Sequence, residues 1–157
     1  MLEGVVDVYL PDFKYLDSSL AKEYSQARNY PEIASAALKE MHRQKGSTFI
    51  VDDNGIAQSG IIVRHLVLPG AVNQSIGVLR FIAEEISTKL HISLMAQYFP
   101  TEIVSSHPIL HRTISAEEYQ LVTDAFYELG FNRGWVQDLE SHASYRPDFS
   151  KDQSFEL

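Results

Sequence analysis

Asp12 and Lys14 stand two residues apart in "YLPDFKY", directly after an apolar run. In an extended segment that spacing puts both side chains on one face. They could close the loop as an ordinary ion pair, or act as acid and base in a site. Arg64 interrupts the aliphatic run "GIIVRHLVLPG". A charged residue is rarely buried unpaired, so Arg64 is expected either to meet a carboxylate in the core or to face a site. His65 points to the opposite face of the same strand and is expected to pack against helices. Gln97 and Tyr98 follow a third apolar run, "HISLMA", where they either line a site or simply end a strand. His107 and His111 have the i, i+4 spacing that suits a metal on a helix, but Pro108 opposes a helix there and a third ligand is missing. Trp135 reads as core, and His42 and His91 have no evident partner. No G-x-G-x-x-G, Walker A or G-x-S-x-G pattern occurs, so dinucleotide, P-loop and serine-hydrolase chemistry lack their signatures.

The elements that must position these residues alternate. A strand is expected over Gly4–Leu10, ended by Pro11, which has no N–H to give a ladder. A short helical stretch, "SSLAKEYSQA", follows. A longer helix starts at Pro31 and stops at Gly46, with Ile33, Ala34, Ala37, Leu38 and Met41 as its buried stripe. Asn54-Gly55 marks a hairpin turn into the second long strand. A helix follows over Asn73–Leu90, then a strand over His91–Pro100, then a loop over 101–114. Ser115 and Glu118 form a capping box for a helix through Leu129, closed by Gly130. A last short strand spans Gly134–Leu139. Strands alternating with helices indicate a parallel α/β architecture. In such folds ligands bind at the C-terminal ends of the strands, and that is where Asp12, Lys14, Arg64, Gln97 and Tyr98 fall.

Composition narrows the function. At 157 residues, 45% of them hydrophobic, the chain suits one domain with a real core. The net charge of −8 leaves no basic track for nucleic acid. The chain has no cysteine, which excludes disulfides, thiolate nucleophiles and thiolate-held zinc or iron–sulfur clusters. No basic-then-apolar leader opens the sequence, and no run approaches the roughly 18 apolar residues that span a bilayer. A cytoplasmic protein without membrane partners is expected.

The strand count poses a problem. These strands are too few to close a barrel, for which a full (β/α)₈ chain needs about 250 residues. A long apolar edge strand at Gly4–Leu10 would also be an aggregation hazard. The stretches "GVVDVYLPDFKY", "YPEIASAALKEMHRQKG", "GIIVRHLVLPG" and "SLMAQYFP" resemble the C-terminal half of a radical S-adenosylmethionine protein of the group related to pyruvate formate-lyase-activating enzyme. The resemblance runs from about Gly4 to Phe149, through "NRGWVQDLESHASYRPDF". It implies residues 1–149 as half of a partial (β/α)₆ TIM-type barrel with parallel strands, and residues 150–157 as a tail. It implies that the cluster-binding N-terminal half is missing. In the family a CxxxCxxC motif holds a 4Fe-4S cluster, and S-adenosylmethionine is cleaved to a 5′-deoxyadenosyl radical that takes hydrogen from a glycyl-radical enzyme. Carried over, Lys14 contacts the methionine carboxylate, Asp12 helps hold a monovalent cation, and Arg64 joins from the next strand. Gln97 or Tyr98 stands where the best-known member of the family uses a histidine. Without cluster ligands the chain is expected to be inactive alone. The alternative is a non-catalytic S-adenosylmethionine-binding or interaction module that pairs with a separate half or forms a homo-oligomer. A third reading, a small α/β hydrolase or lyase using Asp12 and Lys14, lacks a nucleophile or second carboxylate.

Overall fold

The computed structural model describes residues 2–140. The tail expected at 150–157, and the part of the resemblance beyond Glu140, lie outside the described residues. Four strands lie parallel in chain order: β1 (Val8–Tyr9), β3 (Ala57–Leu66), β4 (His91–Met95) and β5 (Gly134–Val136). A short strand β2 (Ile50–Val51) pairs antiparallel with β3 through the expected turn. There the Asp52 carboxylate accepts from the Asn54 and Ile56 amides. The connections carry α1 (Ser18–Ser25), α2 (Tyr30–Lys45), α3 (Val72–Glu85) and α4 (Ala116–Glu128).

One face of the sheet is the core. Tyr9, Ile61, Val63, Ile92 and Leu94 turn toward Leu38 of α2, Val78, Leu79 and Ile82 of α3, and Tyr119, Val122 and Phe126 of α4. His65 lies on this face, as expected, fully buried. Its Nδ1 donates to the Phe13 carbonyl at 2.7 Å. Burial lowers its pKa, so the ring stays neutral. Ile62, Arg64, Leu66, His91, Ser93 and Trp135 occupy the opposite face, by the alternation of the strands. Trp135 is 54% exposed there. The core role expected for it is therefore wrong, because its register with Ser93 puts it on the uncovered face.

Several elements are shorter than the sequence pattern indicates, with β4 stopping at Met95 rather than Pro100 and β5 at Val136 rather than Leu139. Gly4 sits in a turn with φ 77, so β1 does not extend over Gly4–Leu10, and Val5 and Leu10 are exposed. Helix α3 ends at Glu85, because Ile86 leaves helical geometry at φ −130 and ψ −81. Within α2 only Pro31 and Leu38 are fully buried. Ile33 of the expected buried stripe is 65% exposed.

The capping box at Ser115 and Glu118 forms as expected. The sequence pattern did not reveal that Glu118 also ties the loop after β3 to α4. Its carboxylate receives both terminal nitrogens of Arg112, at 2.7 and 2.8 Å, and the Gly70 amide at 2.7 Å. The Arg112 hydrogen bonds, with help from the Ser115 and Gly70 amides, hold its pKa at about 2, against an ordinary 4.5. A carboxylate lowered in the fold binds fewer protons than in the unfolded chain, so it stabilises fully above the unfolded value. That contribution is lost as the pH falls from about 4.5 to about 2. Urea denaturation is expected to show about 2 kcal/mol less stability across that window, after allowance for screening at the half-exposed Arg112. Glu118→Gln should flatten this slope. An equally steep acid loss in the variant would assign it elsewhere.

Candidate functional site

The C-terminal ends of β1 and β3 bring the candidate residues together. The main chain of residues 11–13 continues β1 along β3 past Pro11. The Arg64 N–H donates to the Pro11 carbonyl and the Phe13 N–H to the Arg64 carbonyl, both at 2.9 Å. Asp12 thereby lies beside Arg64 on the open face. Arg64 Nε donates to Asp12 Oδ1 at 2.7 Å, and Lys14 Nζ stands 3.9 Å from Asp12 Oδ2. Arg64 meets a carboxylate, but at an accessible strand end and not in the core, because its side chain leaves the sheet on the open face. Lys14 and Arg64 each keep nearly half of their side-chain surface in solvent. One carboxylate therefore stands among two accessible cations, and Lys14 is held only loosely.

Two hydrogen bonds fix the chain under this cluster. Tyr30, the first residue of α2, donates its hydroxyl proton to the Asp12 carbonyl at 2.7 Å and accepts the Lys14 N–H at 2.9 Å. Burial raises the Tyr30 pKa above the ordinary 10, so the proton it donates stays in place. From the core side, His65 holds the carbonyl of Phe13, the residue between Asp12 and Lys14. The sequence reading gives His65 only a packing role and does not name Tyr30, because both bonds depend on long-range packing.

Gln97 and Tyr98 sit farther along the same rim, with different jobs. Gln97 Oε1 accepts from Gln137 Nε2 at 3.1 Å, and Gln137 Oε1 accepts from the Ala96 amide. Gln97 thus belongs to a lock between the ends of β4 and β5. Tyr119 reinforces that lock by donating to the Gln137 carbonyl at 2.8 Å. The Tyr98 hydroxyl donates to the Leu110 carbonyl at 2.8 Å. Its ring, with Lys14, Tyr15, Tyr24, Leu66 and Leu110, lines a cavity of about 240 Å³. Lys14 and Tyr98 therefore share one pocket. Gln97 does not line it.

His107 and His111 serve the loop. His107 Nδ1 accepts from the Ile109 and Leu110 amides, and its Nε2 lies 3.5 Å from Glu23. His111 Nδ1 bonds the His107 carbonyl. His42 pairs with the Ser47 hydroxyl, and the His91 ring packs on Phe49. Among the described residues no helix is long and apolar enough to cross a membrane.

No family model and no solved structure matches the chain. It is similar to an uncharacterized protein of Methanocaldococcus jannaschii, with 29% identity over 121 residues. The match covers 76% of this chain and 31% of that protein. The chain thus spans about a third of the relative's length.

Proposed function

We propose that the chain is half of a radical S-adenosylmethionine-type (β/α)₆ barrel, whose rim holds the methionine end of S-adenosylmethionine through Lys14 and Arg64. The observation that carries this reading is the meeting of Asp12, Lys14 and Arg64 at the C-terminal ends of neighbouring parallel strands, on the uncovered face. Two other features support it. Strands in chain order with right-handed crossovers place every crossover helix on one face, as in barrels, whereas doubly wound sheets cover both. The polar inner row from Asp12 through Arg64 to Ser93 suits a barrel interior that opens on a ligand site.

The residues present can be tested against each group the resemblance implies. Lys14 and Arg64 fit a carboxylate, since both are accessible and Arg64 uses Nε on Asp12. Asp12 would fix the fork of Arg64 and balance the two cations. Both of its oxygens face these cations, which favours an anion at this spot over the monovalent cation of the family. The iron–sulfur cluster does not fit a chain without cysteine. When bound beside such a cluster, S-adenosylmethionine supplies the 5′-deoxyadenosyl radical. This chain would contribute binding and orientation of its methionine end. The absence of cysteine favours, as a second reading, a non-catalytic module that binds S-adenosylmethionine or pairs with a separate cluster-bearing half. A glycyl-radical protein would be the target of the completed assembly.

Titration calorimetry with S-adenosylmethionine tests the binding. Heat is expected with the wild type and a loss of about tenfold or more in affinity with Lys14→Ala, the scale of one charge-assisted hydrogen bond. No heat with a folded wild type would overturn the assignment.

A further inference from the structure

We infer that the cavity beside Lys14 is a binding site for a small aromatic monocarboxylate, with the ring inside and the carboxylate on Lys14. Its walls come from the loop after β1, from α1, from the end of β3 and from the loop that follows β4. Of the residues that line it, Lys14 alone is charged, and all the others except Thr101 are aromatic or aliphatic.

The walls are fixed by bonds that point away from a guest. The Tyr15 ring is buried, and its hydroxyl pairs with the Ser25 hydroxyl at 3.0 Å. The Tyr98 hydroxyl is engaged on the Leu110 carbonyl. Tyr24 meets Tyr15 and His107 edge-on, with ring centroids 6.4 and 5.6 Å away. His107 is itself held by the Ile109 and Leu110 amides. Tyr15 and Tyr98 therefore offer a guest ring surface rather than hydroxyl groups. Preformed apolar walls with one well-placed charged group are the usual form of a small-molecule site.

Size limits the guest. A dry cavity of about 150 Å³ holds one benzene ring. This cavity has about 240 Å³, room for one ring and a short chain. It falls below the roughly 300 Å³ at which sites for drug-sized ligands begin.

Charge sets the head group. Asp12 stands 2.7 Å from Arg64 and 3.9 Å from Lys14. Two cations and one carboxylate leave one positive charge, on the loosely held Lys14. A single carboxylate neutralises it, whereas a phosphate dianion would overbalance it. Glu23 of α1 faces His107 and does not line the cavity, so no acid on that wall takes the place of the guest. The same lysine opposes a quaternary ammonium, which the three tyrosine rings would otherwise suit. Those rings favour an aromatic body over an alkyl one, because offset and edge-on ring contacts add to plain area burial.

The inference goes beyond the S-adenosylmethionine reading and stands without it. The two share Lys14, so the two ligands should compete. The probe is 3-phenylpropanoate, titrated into the isotope-labelled chain and followed by amide shifts. Saturable shifts are expected at Tyr15, Tyr24, Leu66 and Leu110. The uncharged 3-phenylpropanamide should bind about tenfold or more weakly, the scale of one charge-assisted hydrogen bond. Hexanoate, with the charge but no ring, should bind about threefold or more weakly. Leu66→Trp fills the cavity and should abolish binding. Lys14→Ala, at a half-exposed position, leaves the fold intact and should bind the acid no better than the amide. No saturable shift with the folded wild type overturns the inference. Equal affinity for acid and amide, or for phenylpropanoate and hexanoate, overturns it as well. S-adenosylmethionine binding without any response to phenylpropanoate would sink this site and leave that reading standing. The reverse result would leave the aromatic acid site and remove the S-adenosylmethionine one.

Discussion

Gly134→Ala is expected to cost about 3–5 kcal/mol, the sum of backbone strain and an overpacked contact that cannot relax. Gly134 begins β5 with φ +107, where L side chains rarely sit. A Cβ there would fall on the carbonyl oxygen of Ile92 and within 2.6 Å of its nitrogen. Both belong to the backbone of the neighbouring strand, so neither can rotate away. Gly134 is in register with Ile92, and the pairing continues through Trp135 with Ser93. Losing it would also loosen the Gln137 lock on Gln97 and Ala96. Gly130 is the control. Its φ is +88, but nothing lies within 4 Å of an added Cβ, so Gly130→Ala should cost only about 1–2 kcal/mol of left-handed strain. Urea denaturation of both variants makes the comparison. Equal losses would mean that the close approach of β4 and β5 is not what Gly134 serves.

Arg64→Ala is expected to lower affinity for S-adenosylmethionine by ten- to a hundredfold, the worth of one hydrogen bond to a charged group. Its effect on stability should stay below about 1 kcal/mol, because an ion pair this accessible is well screened. The two readouts must separate. Arg64 is nearly half exposed, and the aliphatic neighbours it interrupts are held by the rest of the sheet. Arg64→Lys keeps the charge but loses the planar guanidinium whose Nε meets Asp12, and should recover only part of the affinity. A large loss of stability in Arg64→Ala with unchanged binding would make the Asp12 pair structural.

Much of this arrangement is legible in the residues because its causes are local. The Ser115–Glu118 box, the Asn54-Gly55 turn and the aliphatic runs of β3 and β4 are set by near neighbours. The strand-end rule then selects Asp12, Lys14 and Arg64 without knowledge of any contact, and β1 and β3 do bring them together. The same rule selects Gln97, which serves the join of β4 to β5. Its partner Gln137 is forty residues away in sequence, and no short-range pattern reveals it. Tyr30 escaped for the same reason, whereas Arg112 lies only six residues before Glu118, in a loop whose pattern has no periodicity to point one at the other. The buried stripe drawn for α2 fails at Ile33 because a helix above an edge strand has a neighbour on one side only. Periodicity marks the apolar face but not whether anything covers it. Trp135 fails similarly: an aromatic residue in a strand reads as core until the register shows which face it takes.

The most direct test is an amide chemical-shift titration of the isotope-labelled chain with S-adenosylmethionine. Saturable shifts confined to Asp12–Lys14, Arg64 and the segment 96–98, and lost in Lys14→Ala, would place the ligand on the rim where the two parallel strands end. No saturable shift, or shifts centred away from these residues, would contradict the assignment of this rim as an S-adenosylmethionine site.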